Sequence, residues 1–200
     1  MTLNKSLYKM LREGAFFMII GVCGFIGSGK DTIAEYISKK FGHKHIKISS
    51  KLKDVVKVLF NFNDDQVETY SKEVIDKRWG VTPRTVMQFL GTEIFQYKIQ
   101  EILPCVKRNF WIKSIIDEHV KDANYPIVIS DMRFLHEYTE LQKYDVFVIK
   151  IKRNYVNQPV DMHPSETEFV NIPVNLEVDN NSSITDMLNM INTYFSNKII

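Results

Sequence analysis

Seven residues, Gly24-Phe25-Ile26-Gly27-Ser28-Gly29-Lys30, constrain this chain more than any other stretch of its 200 residues. They follow an apolar, β-rich run, FFMIIGV at 16–22, and precede a segment in which Ile33, Ile37 and Phe41 recur at four-residue spacing before Gly42. The pattern predicts a strand, a glycine-rich turn and a helix in immediate succession, with Gly42 as the helix stop. Glycine permits the sharp reversal such a turn needs, so that the N–H groups around Gly27, Ser28, Gly29 and Lys30 can converge on one anion. The helix N-terminus adds partial positive charge, and Lys30 can reach the outer phosphates of a nucleotide as a point charge. Gly24, Gly27, Ser28, Gly29, Lys30, Asp31 and Thr32 are therefore the candidate phosphate-binding set. A glycine-rich turn can be turn chemistry alone, but the full spacing in this setting argues for the anion site.

One position departs from the usual pattern. Asp31 stands where Ser or Thr normally offers a hydroxyl to magnesium, with Thr32 one place later. Either Asp31 contacts Mg²⁺, directly or through water, or it supports the turn while another group holds the metal. A carboxylate beside a triphosphate is repulsive unless a cation lies nearby.

Further apolar runs at HIKIS (45–49), PIVIS (126–130) and VFVIKI (146–151) alternate with helical patterns, as expected of a parallel sheet covered by helices, with a fifth strand near 175–178. Thr82-Pro83 reads as an N-cap followed by proline at the first helical position, opening a long helix toward Leu103. Ser183 and Asp186 read as a capping box before Met187, Leu188, Ile191 and Phe195. Between the second and third strands, about 50–125, the pattern is almost wholly helical, which predicts an inserted helical region.

Composition narrows the function classes. Apolar residues make up 44 % and charged residues 25 %, a globular mix, and a net charge of +2 gives no concentrated basic face for a nucleic acid. Two cysteines, Cys23 and Cys105, form neither a disulfide framework nor a paired zinc spacing, which points to a reducing compartment, the cytoplasm, or the host cytoplasm for a viral protein. His43 and His45 alternate on the expected second strand and read as surface or edge positions. The apolar stretch 15–22 is too short to span a bilayer, and residues 1–13 read as a short basic amphipathic extension. No membrane partner is expected.

The run PIVISDMRF places Asp131 at the carboxyl end of a buried strand, the sheet edge where ligands bind in such folds. Asp131 can hold Mg²⁺ or its waters, or cap a helix, and Arg133 can fork onto a phosphoryl group. Arg84, Gln88 and Thr92 are spaced by four and share one face of the expected long helix, while Val86, Leu90, Ile94 and Tyr97 form its apolar face. That polar stripe reads either one ligand or solvent. Trp79, Phe89 and Trp111 can wall a base or simply fill a core, and Lys51 and Lys53 can attract an acceptor phosphate or remain solvated.

Together the segments GSGKDT (27–32), SSKLKDVV (49–56), SKE (71–73), GVTPRTVMQFLGTE (80–93), SDMRFLHE (130–137) and DMHPSE (161–166) resemble the deoxynucleoside monophosphate kinases of bacteriophages and large DNA viruses. They span most of the chain in order. GKDT looks like that family's own variant of the loop. The resemblance implies an α/β, three-layer P-loop NTPase fold: a parallel five-stranded sheet with helices on both faces, a helical monophosphate-binding insertion and a lid. One domain over 1–200 is implied, with a core of 16–50 and 125–200, a monophosphate region of about 51–124 and a lid of about 153–170.

It also implies transfer of the γ-phosphate of ATP, with Mg²⁺, to a small-molecule dNMP. Lys30, Asp131, Arg133 and Arg153 would be catalytic, Lys51, Arg84, Gln88, Thr92, Trp111 and Arg133 would bind the acceptor, and Asp31 and Asp131 would hold the metal. Arg153 can act as an internal arginine finger, an effect of roughly 10³-fold or more in P-loop enzymes, or be an ordinary surface arginine. The proline-containing segment after it fits a mobile cover, with His163 as lid architecture. No general base is demanded, because an acceptor phosphate oxygen is already ionised. The alternatives are another small-molecule P-loop kinase, such as one acting on a coenzyme precursor, and a non-catalytic nucleotide-binding regulator. The base accepted, the sugar preference and the oligomeric state, a homodimer included, stay open.

Overall fold

A computed structural model describes residues 18–121, 123–154 and 163–196. The expectations for residues 1–13, and those for residues 155–162 of the lid, fall outside these residues.

In chain order, β1 (Ile19–Gly24) leads through the glycine turn into α1 (Lys30–Phe41), and β2 (Lys44–Ile46) follows. Then come α2 (Ser50–Phe60), α3 (Asp64–Glu68), α4 (Pro83–Gln88) and α5 (Phe110–Ile115). The chain closes with β3 (Ile127–Ile129), α6 (Leu135–Leu141), β4 (Phe147–Lys152), β5 (Leu176–Asp179) and α7 (Ile184–Ser196). Two compact units result: a helical unit, Ile48–Asp117, and a sheet unit made of the remainder.

In the sheet unit the five strands are all parallel in the order β2-β3-β1-β4-β5. Ile20 of β1 stands opposite Val128 of β3 on one side and Phe147 of β4 on the other. Every residue of β1 and β3 is buried, as strands covered on both faces must be, and that is why their sequences run apolar without alternation. On one face Ile33, Ala34 and Ile37 of α1 and Met187, Ile191 and Phe195 of α7 close over Ile20, Val22, Ile149 and Val178. At Gly21 a Cβ would overlap the sulfur of fully buried Met132, so the missing side chain lets the segment after β3 lie against β1.

Local signals hold at several helix ends. Gly42 ends α1 in the left-handed region (φ 76°), Thr82 accepts the Thr85 N–H with Pro83 at the first helical position, and Asp186 and Ser183 bond reciprocally. Two expectations are corrected. His43 is buried rather than at a surface or edge position, and it lies in the link between α1 and β2, since β2 starts at Lys44.

The long helix also fails to run as one α-helix to Leu103. It is α-helical only to Gln88, π-helical over Phe89–Tyr97 and 3₁₀ over Lys98–Glu101. Gly91 sits at the irregularity: its carbonyl accepts the Trp111 indole N–H at 2.9 Å, and a Cβ there would lie 2.7 Å from Leu52. Diverting a ladder carbonyl to a side chain is the kind of insertion that widens a helix. Past Gln88 the expected faces are consequently rotated: Thr92 and Gln96 are 3 % exposed, whereas Tyr97 is 43 % exposed.

Candidate active site

The carboxyl ends of the parallel strands gather the chemistry of the sheet unit. Gly24, Gly27 and Gly29 all have positive φ (146°, 71° and 104°), so the turn needs glycine at each. The Ser28 N–H closes it onto the Phe25 carbonyl at 3.1 Å. The Ser28 hydroxyl is buried and has no hydrogen-bond partner among the described residues.

Lys30 opens α1 and turns its amine back over the loop, donating to the Gly24 and Phe25 carbonyls at 2.8 and 2.6 Å. Burial first, and then the neighbouring Arg133 guanidinium, pull that amine down to about 8. A buried cation in this condition is under-compensated, and a polyanion is the ligand that relieves it. The glycine-lined turn and its lysine thus fit nucleotide phosphates.

Asp31 sits in a polar cluster. Its Oδ1 accepts the Ser130 hydroxyl at 2.7 Å and lies 3.1 Å from the Lys47 amine. Because Ser130 donates its one hydroxyl hydrogen to Asp31, His45 Nε2 donates to Ser130, at 2.8 Å. Burial alone would raise the Asp31 carboxyl, but Ser130 and Lys47 together hold it below the usual range. The compensating charge expected beside this carboxylate is therefore partly supplied by Lys47, the residue directly after β2. The Asp31 side chain is still 59 % exposed, and it and Asp131 both act electrostatically on Lys30. Two carboxylates beside a phosphate cradle suit Mg²⁺, which binds through one or two carboxylates plus substrate oxygens. Among the described residues no group of three or more His, Cys, Asp or Glu could hold a metal alone.

Beyond β3, Asp131-Met132-Arg133 is pinned at two points. Met132 packs at Gly21, and buried Glu137 Oε2 accepts the N–H of Arg133 at 2.7 Å and of Phe134 at 3.0 Å. Burial pushes the Glu137 carboxyl up to about 8, against the two N–H donors that favour its charged form. The Arg133 guanidinium meets Glu166 Oε1 at 2.6 Å, and Arg153, just past β4, donates to the Gly27 carbonyl at 3.0 Å. Arg153 thus lies against the phosphate turn. His163 accepts the Ser165 N–H through Nδ1 at 3.2 Å.

In the helical unit, Arg84 Nε donates to Glu73 Oε1 at 2.6 Å, and Lys51 donates to the Ser114 hydroxyl at 2.5 Å. Gln88 is half-buried in the last turn of α4, and Thr92 is buried in the π-helical stretch. Trp111 is 8 % exposed and packs on Phe95 and Phe110, so its indole belongs to the unit's interior. Ahead of α4, the Asp76 carboxylate accepts from Arg78 Nε and backbone N–H, both at 2.9 Å, and from Gln66 Nε2 at 2.8 Å.

Sequence reasoning missed Lys47, Ser130, Glu137, Glu166 and Glu73 as partners of the site residues. Glu73, Ser130, Glu137 and Glu166 lie inside motif segments, which was the available signal; Lys47 carried none.

A parallel sheet of this order, with a glycine turn and lysine at the end of its first strand, defines an α/β P-loop protein of the kinase type. The model of the deoxynucleotide monophosphate kinase family matches residues 65–191. A putative deoxynucleotide monophosphate kinase of Acanthamoeba polyphaga mimivirus is 31 % identical over 185 residues, covering 87 % of this chain and 94 % of that protein. The chain belongs to the deoxynucleotide monophosphate kinase family, and it is an enzyme of the nucleotide kinase type. Solved structures with similar folds include a gluconokinase from Sinorhizobium meliloti 1021 (13 % identity, TM-score 0.46, 89 % of this chain and 91 % of that one). A dephospho-CoA kinase from Campylobacter jejuni aligns at 16 % identity and a TM-score of 0.48, over 90 % of this chain and 96 % of that one.

Proposed function

We propose that this chain transfers the γ-phosphoryl group of ATP to a deoxynucleoside monophosphate, releasing ADP and the dNDP. The observation that carries the reading is the Lys30 amine, seated on the carbonyls of a three-glycine turn and held within electrostatic reach of Arg133, Asp31 and Asp131. In the reaction a phosphate oxygen of the acceptor attacks the γ-phosphorus, the bond to the β–γ bridging oxygen breaks, and the departing charge stays on ADP. Lys30 binds the β- and γ-phosphate oxygens and neutralises charge as it spreads. Arg133 leaves Glu166 to fork onto the transferring group. The turn's amides orient the donor, so the chain's contribution is alignment and preorganised charge and no proton is moved. Asp31 and Asp131 are the residues that would hold Mg²⁺, which when bound neutralises the donor phosphates.

On the acceptor side, Lys51, Arg84 and Gln88 are the polar groups of the helical unit suited to a nucleotide monophosphate. Arg84 would exchange its present contacts, the one to Glu73 among them, for a phosphate. Family membership supports the substrate class, and the cytoplasm, where ATP and nucleotides meet, is the matching location.

The test is ADP release on incubation with ATP-Mg²⁺ and each of dAMP, dCMP, dGMP and dTMP, with the ribonucleotides and coenzyme precursors alongside. Turnover with at least one dNMP, abolished in a folded Lys30→Ala protein, is expected. Absence of acceptor-dependent ADP release, or full activity in Lys30→Ala, refutes the proposal.

A further inference from the structure

Past the end of β5, one buried polar side chain has no part in the reading above. Asn180 is 7 % exposed, and its backbone N–H donates to the Lys152 carbonyl at 2.8 Å, which extends the β4–β5 ladder and fixes where the residue stands. The turn beyond it is closed as well, because Asn181 bonds both carboxylate oxygens of Asp179 at 2.8 Å. From this anchored position the Asn180 side-chain amide reaches into the phosphate turn and donates to the Ser28 carbonyl at 2.7 Å.

That bond sets the direction of a peptide plane. The carbonyl of one residue and the N–H of the next point to opposite sides of a trans peptide. With the Ser28 carbonyl drawn outward to Asn180, the Gly29 N–H faces the hollow of the turn, where a phosphate oxygen would lie. Gly29 supports the same arrangement: it has φ 104°, and a Cβ there would come within 2.8 Å of Asn180 Nδ2. The missing side chain is what admits the Asn180 amide. Asparagine is also the residue type this demands, since a carboxylate would oppose a carbonyl with another acceptor and an aliphatic chain would leave a buried carbonyl unpaired.

We infer that Asn180 is a positioning residue of the donor site, holding the Ser28–Gly29 peptide so that its N–H is aimed at the donor's phosphates before they arrive. The inference rests on the reading of the turn as the ATP phosphate site. Its consequence is specific: Asn180 acts on the phosphates and not on the base or the acceptor.

The experiment measures binding of AMP-PNP-Mg²⁺, of inorganic tripolyphosphate-Mg²⁺ and of dNMP alone by calorimetry to the full chain and to Asn180→Ala and Asn180→Asp. Asn180→Asp keeps the shape and guards against a folding defect in the alanine protein, and the melting temperature without ligand is read for each. Expected is a loss of about tenfold or more for both AMP-PNP and tripolyphosphate, with dNMP binding retained, and a raised KM for ATP with the KM for dNMP unchanged. A loss for AMP-PNP with tripolyphosphate unaffected would assign Asn180 to the base and overturn the inference. So would affinities equal to wild type, or an equal loss for dNMP. If the wild-type chain binds neither triphosphate, the reading of the turn itself falls, an outcome distinct from failure of the Asn180 variants.

Discussion

Replacing Lys30 by Met tests the charge state at the heart of the site through stability alone, independently of catalysis. Lys30 has its amine lowered from the ordinary 10.5 to about 8, chiefly by burial. Between those values the unfolded chain binds the proton and the folded chain does not, so stability rises with pH across this window and the penalty is largest below pH 8. Linkage puts the folded-state cost of charging Lys30 at about 3 kcal/mol at neutral pH, and about 2 kcal/mol of it is recovered by roughly pH 9.5.

Methionine keeps the aliphatic stem and removes the titration. It also loses the bonds to the Gly24 and Phe25 carbonyls, but that loss is nearly independent of pH and cancels in the slope. The assay is urea unfolding of both proteins at several pH values, with the m-values compared to confirm that the same surface is exposed. The wild-type-minus-variant stability should climb by about 2 kcal/mol from neutral pH to about 9.5, and saturating AMP-PNP should flatten the climb by supplying the counter-charge. A difference that stays flat without ligand would refute the claim that Lys30 is an under-compensated buried cation.

Three further outcomes are expected. Gly21→Ala drives a methyl into the Met132 sulfur, so it should cost about 2 kcal/mol, lower the melting temperature by several degrees and reduce kcat through displacement of Asp131 and Arg133. Glu137→Ala strands the N–H groups of Arg133 and Phe134 and should destabilise by about 2–3 kcal/mol, whereas Glu137→Gln keeps an accepting oxygen and should lose much less, both read by denaturant unfolding. Thr82→Ala removes the N-cap of α4 at a cost of about 1 kcal/mol, with AMP-PNP affinity unchanged.

How far the sequence could be read depended on whether a signal was local. The turn from Gly24 to Lys30, the stop at Gly42, the cap at Thr82-Pro83 and the Ser183–Asp186 box are all set by neighbours in sequence, and each appears where its residues predicted it. The sheet was legible because strands buried on both faces lose their alternation. What could not be read depends on residues brought together by folding. The Asp31–Lys47 pair joins α1 to the end of β2, and Arg133–Glu166 spans 33 positions. The faces of the helix after Gln88 were misjudged for the same reason: a 3.6-residue period was extended through a segment whose ladder is altered by Trp111, twenty positions away.

The widened stretch from Phe89 to Tyr97 also carries a consequence for how the helical unit can change. A π segment holds a residue that an ordinary ladder would not accommodate, so losing one residue there can restore a regular helix without breaking the chain. Because the residue lost is the one the widened turn absorbs, the side chains downstream would keep their bearing around the axis, with Gln96 still buried. A shortening of a single position in this segment would therefore tighten the ladder while the interior of the helical unit keeps the same groups facing inward.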